Sequence, residues 1–275
     1  MSNSRTVLLL SDNPGDDYVA RIRAGASRAC GEGGYSVVSF NIYGQARTIK
    51  DVVEGTDHAG LILTPPVCDD RHFLSFVEAR GTPFVRIAAL LDPERGTTVG
   101  MDEFEAASAV TSVLTAAGHR RIGIMRGPST QLVSMRRYNG YANALGAKGM
   151  RVDQTLVAQG DFTRASGRAE APKLFAAKPT AIFASNDEMA AGIIDAAQAA
   201  GIAIPGDISL VGYDDNAVAT NVSPRLTTVR QPCEAMGEAA GRLLTARLRN
   251  PRLPHAHELV PFQVVERESV RAVED

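Results

Sequence analysis

The sequence predicts an α/β protein built from two Rossmann-like βαβ lobes with parallel sheets. Short apolar runs alternate with longer segments whose apolar residues recur at the helical period, which is the pattern of βαβ units. The alternation reaches Gly118 at the end of a strong helix and then starts again. At 275 residues, the chain is long enough for two lobes of ordinary domain size.

The first half of the chain has four apolar runs that predict strands and two clear helices. The helix over residues 17–30 ends in a glycine-rich segment, where left-handed backbone suits glycine. Asp102 is placed to cap the second helix, because Glu103 and Glu105 follow it and favour the positive helix end. The predicted strands of this half are 7–10, 35–40, 61–63 and 83–87.

The second half repeats the alternation. Its strand pattern is weakest over 152–157, and Pro172 is poorly tolerated inside the helix that follows, because proline lacks the backbone N–H. We expect the last helix to return to the first lobe, which predicts one subdomain of 1–117 with 232–257 and another of 118–231 with 258–275. The predicted strands are 122–125, 152–157, 181–184, 208–211 and 225–229, and the predicted helices are 132–148, 164–177, 187–200 and 234–248.

Composition and charge exclude several classes of protein. The net charge is −2 and there is no run of Lys and Arg, so we expect no nucleic-acid contact through this part of the protein. Cys30, Cys68 and Cys233 are widely spaced, which argues against a disulfide framework or a zinc site. No apolar run is long enough for a signal peptide or a membrane span. We therefore expect a cytoplasmic protein with reduced thiols and no membrane partner.

Polar residues follow the predicted strands, where open parallel sheets bind their ligands. Asp12 and Thr64 follow strands of the first lobe, and Ser185-Asn-Asp187 and Tyr213-Asp-Asp215 follow strands of the second. Each has a structural alternative. Asp12 suits a turn, Asp102 suits a helix cap alone, and Ser185 with Glu188 three residues later suits a capping box that includes Asn186.

The motifs of common catalytic sites are missing from the sequence. There is no G-x-S-x-G, H-E-x-x-H, P-loop or G-x-G-x-x-G segment. His255 and His257 would face the same side of a strand, but no Cys or carboxylate partner accompanies them. We therefore predict no catalytic residue, no metal and no cofactor, with acid–base chemistry at Asp214 and Asp215 as a weaker enzyme alternative.

Five segments in order resemble the lactose-repressor (LacI/GalR) family of bacterial transcription regulators. The similarity covers nearly the whole chain and concerns the family's effector core, whose fold is that of periplasmic binding proteins: two subdomains joined by crossover strands. The matching segments are 118–123 (GHRRIG), 137–141 (RYNGY), 184–192 (ASNDEMAAG), 205–215 (PGDISLVGYDD) and 224–232 (PRLTTVRQP).

The resemblance implies an effector bound between the lobes. It gives Arg137 the role of donating hydrogen bonds to effector oxygens, and it gives Phe162 the role of packing against a ligand ring. Aspartates, an amide and an arginine fork suit sugar hydroxyls, so we expect a carbohydrate, with purines and other metabolites as alternatives. We expect Arg137→Ala to abolish effector binding and leave the fold intact. The candidate ligand-binding residues are Asp12, Tyr18, Thr64, Asp102, Ser134, Arg137, Phe162, Asn186, Asp214 and Gln231.

By the same resemblance, we expect a homodimer in which effector-driven rotation of the lobes controls DNA binding allosterically. The dimer surface would include the predicted helix at 70–79. Operator DNA would be bound by an N-terminal helix-turn-helix, a domain that we expect to be absent from this chain. The chain is then either the effector core of a longer regulator or a stand-alone or transport-associated sugar-binding protein.

Overall fold

The computed structural model describes residues 4–13 and 16–273 and confirms the α/β class. The strands are β1 (Thr6–Ser11), β2 (Ser36–Asn41), β3 (Gly60–Leu63), β4 (Phe84–Ile87), β5 (Thr97–Gly100), β6 (Ile122–Arg126), β7 (Val157–Gln159), β8 (Ala181–Ala184), β9 (Ser209–Val211), β10 (Thr228–Arg230), β11 (His257–Leu259) and β12 (Gln263–Val265). The helices are α1 (Asp16–Glu32), α2 (Ile49–Gly55), α3 (Arg71–Ala79), α4 (Glu103–Ala116), α5 (Leu132–Gly146), α6 (Arg164–Ala176), α7 (Asp187–Ala200), α8 (Ala217–Asn221) and α9 (Cys233–Arg249).

The chain divides into two compact units and passes between them three times. Unit 1 comprises 1–101 and 232–261, and unit 2 comprises 102–231 and 262–275. The predicted join at 117 is therefore wrong, because α4 belongs to unit 2. The helices α4 and α5 pack closely: a methyl group on Gly140 of α5 would overlap the Phe104 carbonyl oxygen of α4. The second return lies at 261 and not at 257, since β11 extends the sheet of unit 1.

Unit 1 is built on a six-stranded parallel sheet in the order β11-β5-β4-β3-β1-β2. The interior strand β1, between β3 and β2, is fully buried over Val7–Leu10, as expected for a parallel sheet covered on both faces. The first and last helices of the unit, α1 and α9, pack against each other. This contact needs glycine, because a methyl group on Gly237 of α9 would overlap the Ile22 carbonyl oxygen of α1.

Unit 2 has a four-stranded parallel sheet in the order β7-β6-β8-β9, together with an antiparallel pair of β10 and β12. One face of the parallel sheet packs on α6 and α7 through a core that includes Met125, Ile182 and Leu210. The strand predicted at 225–229 overlaps β10, but the sequence predicts neither β12, which has three residues and no clear alternation, nor its antiparallel pairing with β10.

Several local predictions differ from the structure. The weak strand at 152–157 is instead a short 3-10 turn over Gln154–Leu156 followed by β7. The helix α6 continues through Pro172. The predicted capping box is wrong, because the cap of α7 is Asn186, whose side chain accepts from the Met189 N–H. In the part of the chain that the structure describes, no helix has the length and apolar character needed to cross a membrane.

Candidate ligand-binding site of unit 2

The carboxyl ends of β6, β8 and β9 place polar segments at one edge of the unit 2 sheet. These strands are neighbours and run parallel, so the segments that follow them lie side by side. The helices α5 and α7 follow β6 and β8; α5 carries Arg137, and Asn186 is the N-cap of α7. Seven of the ten predicted ligand-binding residues belong to unit 2, and most of them lie at this edge.

Arg137 is the centre of this cluster and is 5% exposed. Its Nε donates to Glu103 Oε2 at 2.9 Å and its Nη1 donates to the Ser185 carbonyl oxygen at 2.6 Å. The Cζ atom lies 3.8 Å from the centre of the Tyr213 ring. Burial alone would lower the pKa of Arg137, but the interactions with Glu103, Tyr213 and Asp214 together outweigh it and the pKa is raised. The guanidinium is therefore a fixed cation.

Asp214 is the second member and adjoins Arg137, with Oδ1 at 3.8 Å from Arg137 Nη1. The same oxygen accepts from Gln231 Nε2 at 2.6 Å. The backbone of Asp214 has a φ of 117°, a strained value for a residue with a side chain. Its N–H donates to the Val229 carbonyl oxygen at 2.9 Å, which helps to hold this conformation at the end of β9.

Asn186 and Phe162 form the other side of the cluster. Asn186 Nδ2 donates to the Phe162 carbonyl oxygen at 2.9 Å, while its Oδ1 caps α7. The Phe162 ring centre lies 5.8 Å from Arg137 Cζ. Phe162 also has a positive φ, of 71°, and its ring packs where a side chain on Gly127 would lie. The capping role of Asn186 is thus observed, and its role toward a ligand stays a prediction.

Two buried hydroxyls at this edge have no hydrogen-bond partner among the described residues. Ser134 Oγ lies beside Gly127 near the Phe162 ring, and Ser185 follows β8 directly. Both serines are almost fully buried, at 1% and 0% exposure. Burying a hydroxyl without a partner costs free energy, so a partner is expected at each.

The other four predicted site residues are Asp102, which directly precedes Glu103, and three residues of unit 1. Asp102 is exposed and caps α4 by accepting from the Phe104 and Glu105 N–H groups, which is the structural alternative for this residue. Asp12, Tyr18 and Thr64 belong to unit 1. Asp12 and Thr64 follow the neighbouring strands β1 and β3, and Thr64 is buried with its hydroxyl donating to the Leu10 carbonyl oxygen at 3.2 Å. Asp12 and Tyr18 are half-buried.

Three residues that organise the cluster are not among the ten predicted ligand-binding residues. From the sequence, Glu103 is expected only to favour the positive end of helix α4. In the structure it is the counter-ion of Arg137. Tyr213 is read as part of a polar loop, yet it is fully buried and its OH donates to Glu103 Oε2 at 2.7 Å. Burial, together with the charge of Glu103, raises the pKa of Tyr213.

The third is Asp187, which accepts from Thr228 Oγ1 at 2.7 Å. Burial and the nearby charge of Asp214 raise the pKa of the Asp187 carboxyl. In the sequence, each of these three residues is a charged or phenolic side chain directly beside a predicted ligand-binding residue. Their hydrogen-bond partners are distant in the chain, so no local pattern could identify those partners.

Other features of the described residues are a surface cavity in unit 2 and the buried cysteines. Unit 2 has a surface cavity of about 510 Å³ beside α7 and α8, lined in part by Ile194, Ile202 and Val222, and none of the predicted site residues lines it. Across residues 4–13 and 16–273, no group of three or more His, Cys, Asp and Glu side chains is placed to hold a metal ion. The three cysteines are buried thiols, and burial raises the pKa of Cys30 to about 11.

The known proteins that this chain resembles include several transcriptional regulators. A family model described as a periplasmic binding protein-like domain matches residues 111–270. The HTH-type transcriptional regulator CelR of Thermobifida fusca is 39% identical over 157 residues, which are 56% of this chain and 46% of CelR. The ribose operon repressor of Haemophilus influenzae is 28% identical over 273 residues, which are 97% of this chain and 81% of that repressor. The match to CelR thus spans less than half of that relative's length.

A solved structure agrees with these relatives. The complex of a transcriptional regulator CelR with cellobiose superposes with a TM-score of 0.89 at 30% sequence identity. The match covers 98% of this chain and 85% of that one. These relatives are transcriptional regulators and not enzymes, in agreement with the prediction that this chain is not an enzyme.

Proposed function

The chain belongs to the LacI family of transcriptional regulators, as the effector-binding domain, and we propose that it binds a carbohydrate through the polar cluster of unit 2. The observation that carries this proposal is the convergence of Arg137, Asp214 and Phe162 within a few ångströms. A carboxylate accepts from sugar hydroxyls, and an aromatic ring suits the C–H face of a sugar.

Two further observations support a carbohydrate. The buried hydroxyls of Ser134 and Ser185 can each pair with a hydroxyl of the effector, which gives and accepts hydrogen bonds. A relative at 30% identity over most of its length is described in complex with cellobiose. A site of this kind discriminates strongly, because a ligand without the right hydroxyls leaves buried polar groups unpaired.

Membership of the family is the basis for three further proposals, on the location, the oligomeric state and the DNA-binding control of the protein. We propose that the protein acts in the cytoplasm as a homodimer and that effector binding changes its affinity for operator DNA. Such an effector shifts the protein only by its differential affinity for the two states. The net charge of −2 fits DNA contact through a helix-turn-helix and not through this chain.

The test is calorimetric titration of the protein with cellobiose, glucose and ribose. A true effector should also raise the melting temperature, with a stabilisation of about 2.7 kcal/mol at a hundredfold excess over Kd. We expect Asp214→Asn and Phe162→Ala each to weaken binding by about tenfold or more, since each removes a group that would contact the ligand.

The matched control is Glu105→Gln, which removes an exposed carboxylate from the first turn of α4. It should bind the same sugar with the affinity of the unaltered protein. Unchanged affinity in both Asp214→Asn and Phe162→Ala would contradict the placement of the site. If the protein binds none of these sugars and no other sugar, the proposal that its effector is a carbohydrate is wrong.

A further inference from the structure

We propose that the effector of this domain carries no negative charge, because Glu103 already occupies the guanidinium of Arg137. This inference rests on the proposed effector site and defines its ligand class: neutral hydroxyl compounds are accepted, and phosphorylated or acidic sugars are rejected. Glu103 acts through Arg137, so it is a positioning residue that sets specificity.

Glu103 is held in place from two sides. It is the first residue of α4, and its side chain is 4% exposed. Its Oε2 accepts from Arg137 Nε at 2.9 Å and from the Tyr213 OH at 2.7 Å, and its Oε1 lies 3.5 Å from Arg137 Nη2. The carboxylate is therefore fixed against Arg137 and cannot leave without breaking these bonds.

The donors of Arg137 that would recognise an anion are in use. Phosphate and carboxylate groups bind arginine best through two parallel N–H donors. The Nε and Nη2 side of this fork faces Glu103, and Nη1 donates to the Ser185 carbonyl oxygen. An anionic ligand group would have to displace Glu103 to gain the same geometry.

The charges around Arg137 also oppose an anion. Two carboxylates, Glu103 and Asp214, lie within 4 Å of this one guanidinium. Together the three groups carry a net charge of −1, and like charges repel strongly where water is largely excluded. Another cation at this sheet edge is Arg126, at the end of β6. Its Cζ lies over the Tyr138 ring at 4.5 Å, and its Nε is buried without a hydrogen-bond partner among the described residues. The contacts offered to a ligand include the two serine hydroxyls, the single Nε donor of Arg126, Asp214 and the Phe162 ring.

The experiment compares matched neutral and anionic probes on three proteins. Glucose, glucose 6-phosphate and inorganic phosphate are titrated into the unaltered protein, Glu103→Gln and Glu105→Gln, by calorimetry and melting temperature at low salt. We expect the unaltered protein and Glu105→Gln to bind neither phosphate compound. Glu103→Gln should gain about tenfold or more in affinity for both, because the fork of Arg137 is then uncompensated.

Glu103→Asp separates charge from shape. It keeps the negative charge on a shorter side chain, and it should still reject both phosphate compounds. Glutamine keeps an acceptor for the Tyr213 OH and the Arg137 Nε, and a circular dichroism spectrum checks that each variant is folded. If Glu103→Gln does not fold, the unaltered protein and Glu103→Asp still decide the question.

The outcomes distinguish this inference from the proposed function. Binding of glucose 6-phosphate to the unaltered protein as tight as that of glucose or tighter would overturn the inference and leave a carbohydrate effector standing. Failure of a folded Glu103→Gln to gain phosphate binding would overturn it as well. If no sugar binds the unaltered protein, the carbohydrate proposal falls, while the response of Glu103→Gln to inorganic phosphate still tests the role of Glu103.

Discussion

Arg137 and Glu103 form a buried ion pair whose two members depend on each other. The desolvation of each charge is offset by the other, by the Tyr213 OH and by the Ser185 carbonyl oxygen. From the sequence alone, Arg137→Ala is expected to leave the fold intact. The structure argues against that expectation, because removal of Arg137 leaves the carboxylate of Glu103 buried without its counter-ion.

We therefore predict that Arg137→Met lowers the free energy of unfolding by about 3–5 kcal/mol. The double variant Glu103→Met with Arg137→Met should recover most of this loss, because it removes both charges and fills a similar volume. Urea unfolding followed by circular dichroism measures both. A double variant less stable than Arg137→Met would contradict the mutual dependence of the pair.

His119 shows a second kind of buried residue, one whose neutral form the fold prefers. Its Nε2 lies 2.9 Å from Ser209 Oγ and 3.1 Å from the Arg271 carbonyl oxygen, which can only accept, and its Nδ1 lies 3.0 Å from Thr180 Oγ1. Burial lowers the pKa of His119 below its ordinary value of 6.5. The unfolded chain consequently takes up a proton at this residue before the folded chain does.

The sign of the pH effect follows from that order. As pH falls through about 6.5, the unfolded state gains a proton that the folded state resists, so stability is lost on the acidic side. We predict that the free energy of unfolding drops more steeply from about pH 7 to about pH 5 in the unaltered protein than in His119→Gln. Urea unfolding at several pH values measures this, and parallel curves for the two proteins would rule out the proposed role of His119.

At the scale of elements, glycines set how closely the helices of unit 2 approach each other. Gly140 brings α5 onto α4, and Gly167 and Gly192 bring α6 and α7 together. In each case a methyl group would overlap backbone atoms of the opposite helix. The contact between α4 and α5 also positions Glu103 beside Arg137, since each helix carries one member of the ion pair.

Gly140→Ala should lower the free energy of unfolding by about 1–3 kcal/mol or more, because the backbone of α4 must move to admit the methyl group. Gly146→Ala is a matched control in the same helix, with no atom within 4 Å of the added carbon. It should be neutral or stabilising by up to about 1 kcal/mol, because alanine favours helix. Guanidinium unfolding measures both, and equal effects would contradict the packing explanation.

At the scale of the whole molecule, the chain alternates between its two units three times. The last helix, α9, lies in unit 1, far in sequence from α1, on which it packs. Such returns join segments that are far apart in sequence, and no short-range pattern reports them. The segment predicted at 70–79 for the dimer surface is the helix α3, which Asp70 caps. Its exposed residues include Arg71, Ser75 and Glu78, which are polar.

We predict that the protein is a homodimer of about 58 kDa, twice the 29.2 kDa of one chain. Light scattering after size exclusion measures the mass, and dilution tests whether the association is reversible. A mass that stays near that of a single chain at the highest soluble concentration would contradict the dimer.

The sequence by itself determined the features that local patterns encode. The helical period, the cap at Asp102 and the turn glycine Gly201 place most helices within a few residues of their observed bounds. The predicted bounds of strand β8 and helix α7 are identical to the observed ones, because the apolar runs and the end signals lie within these segments.

The tertiary structure alone decided which groups meet. The pairing of Glu103 with Arg137 joins residues 34 positions apart, and the bond from Tyr213 to Glu103 joins residues 110 positions apart. The helix α4 joins unit 2 because Gly140 lets α5 approach it, a fact that the pattern of α4 does not contain. Periodicity reports which face of a segment is buried, whereas the partner of a buried charge depends on how segments distant in the chain pack.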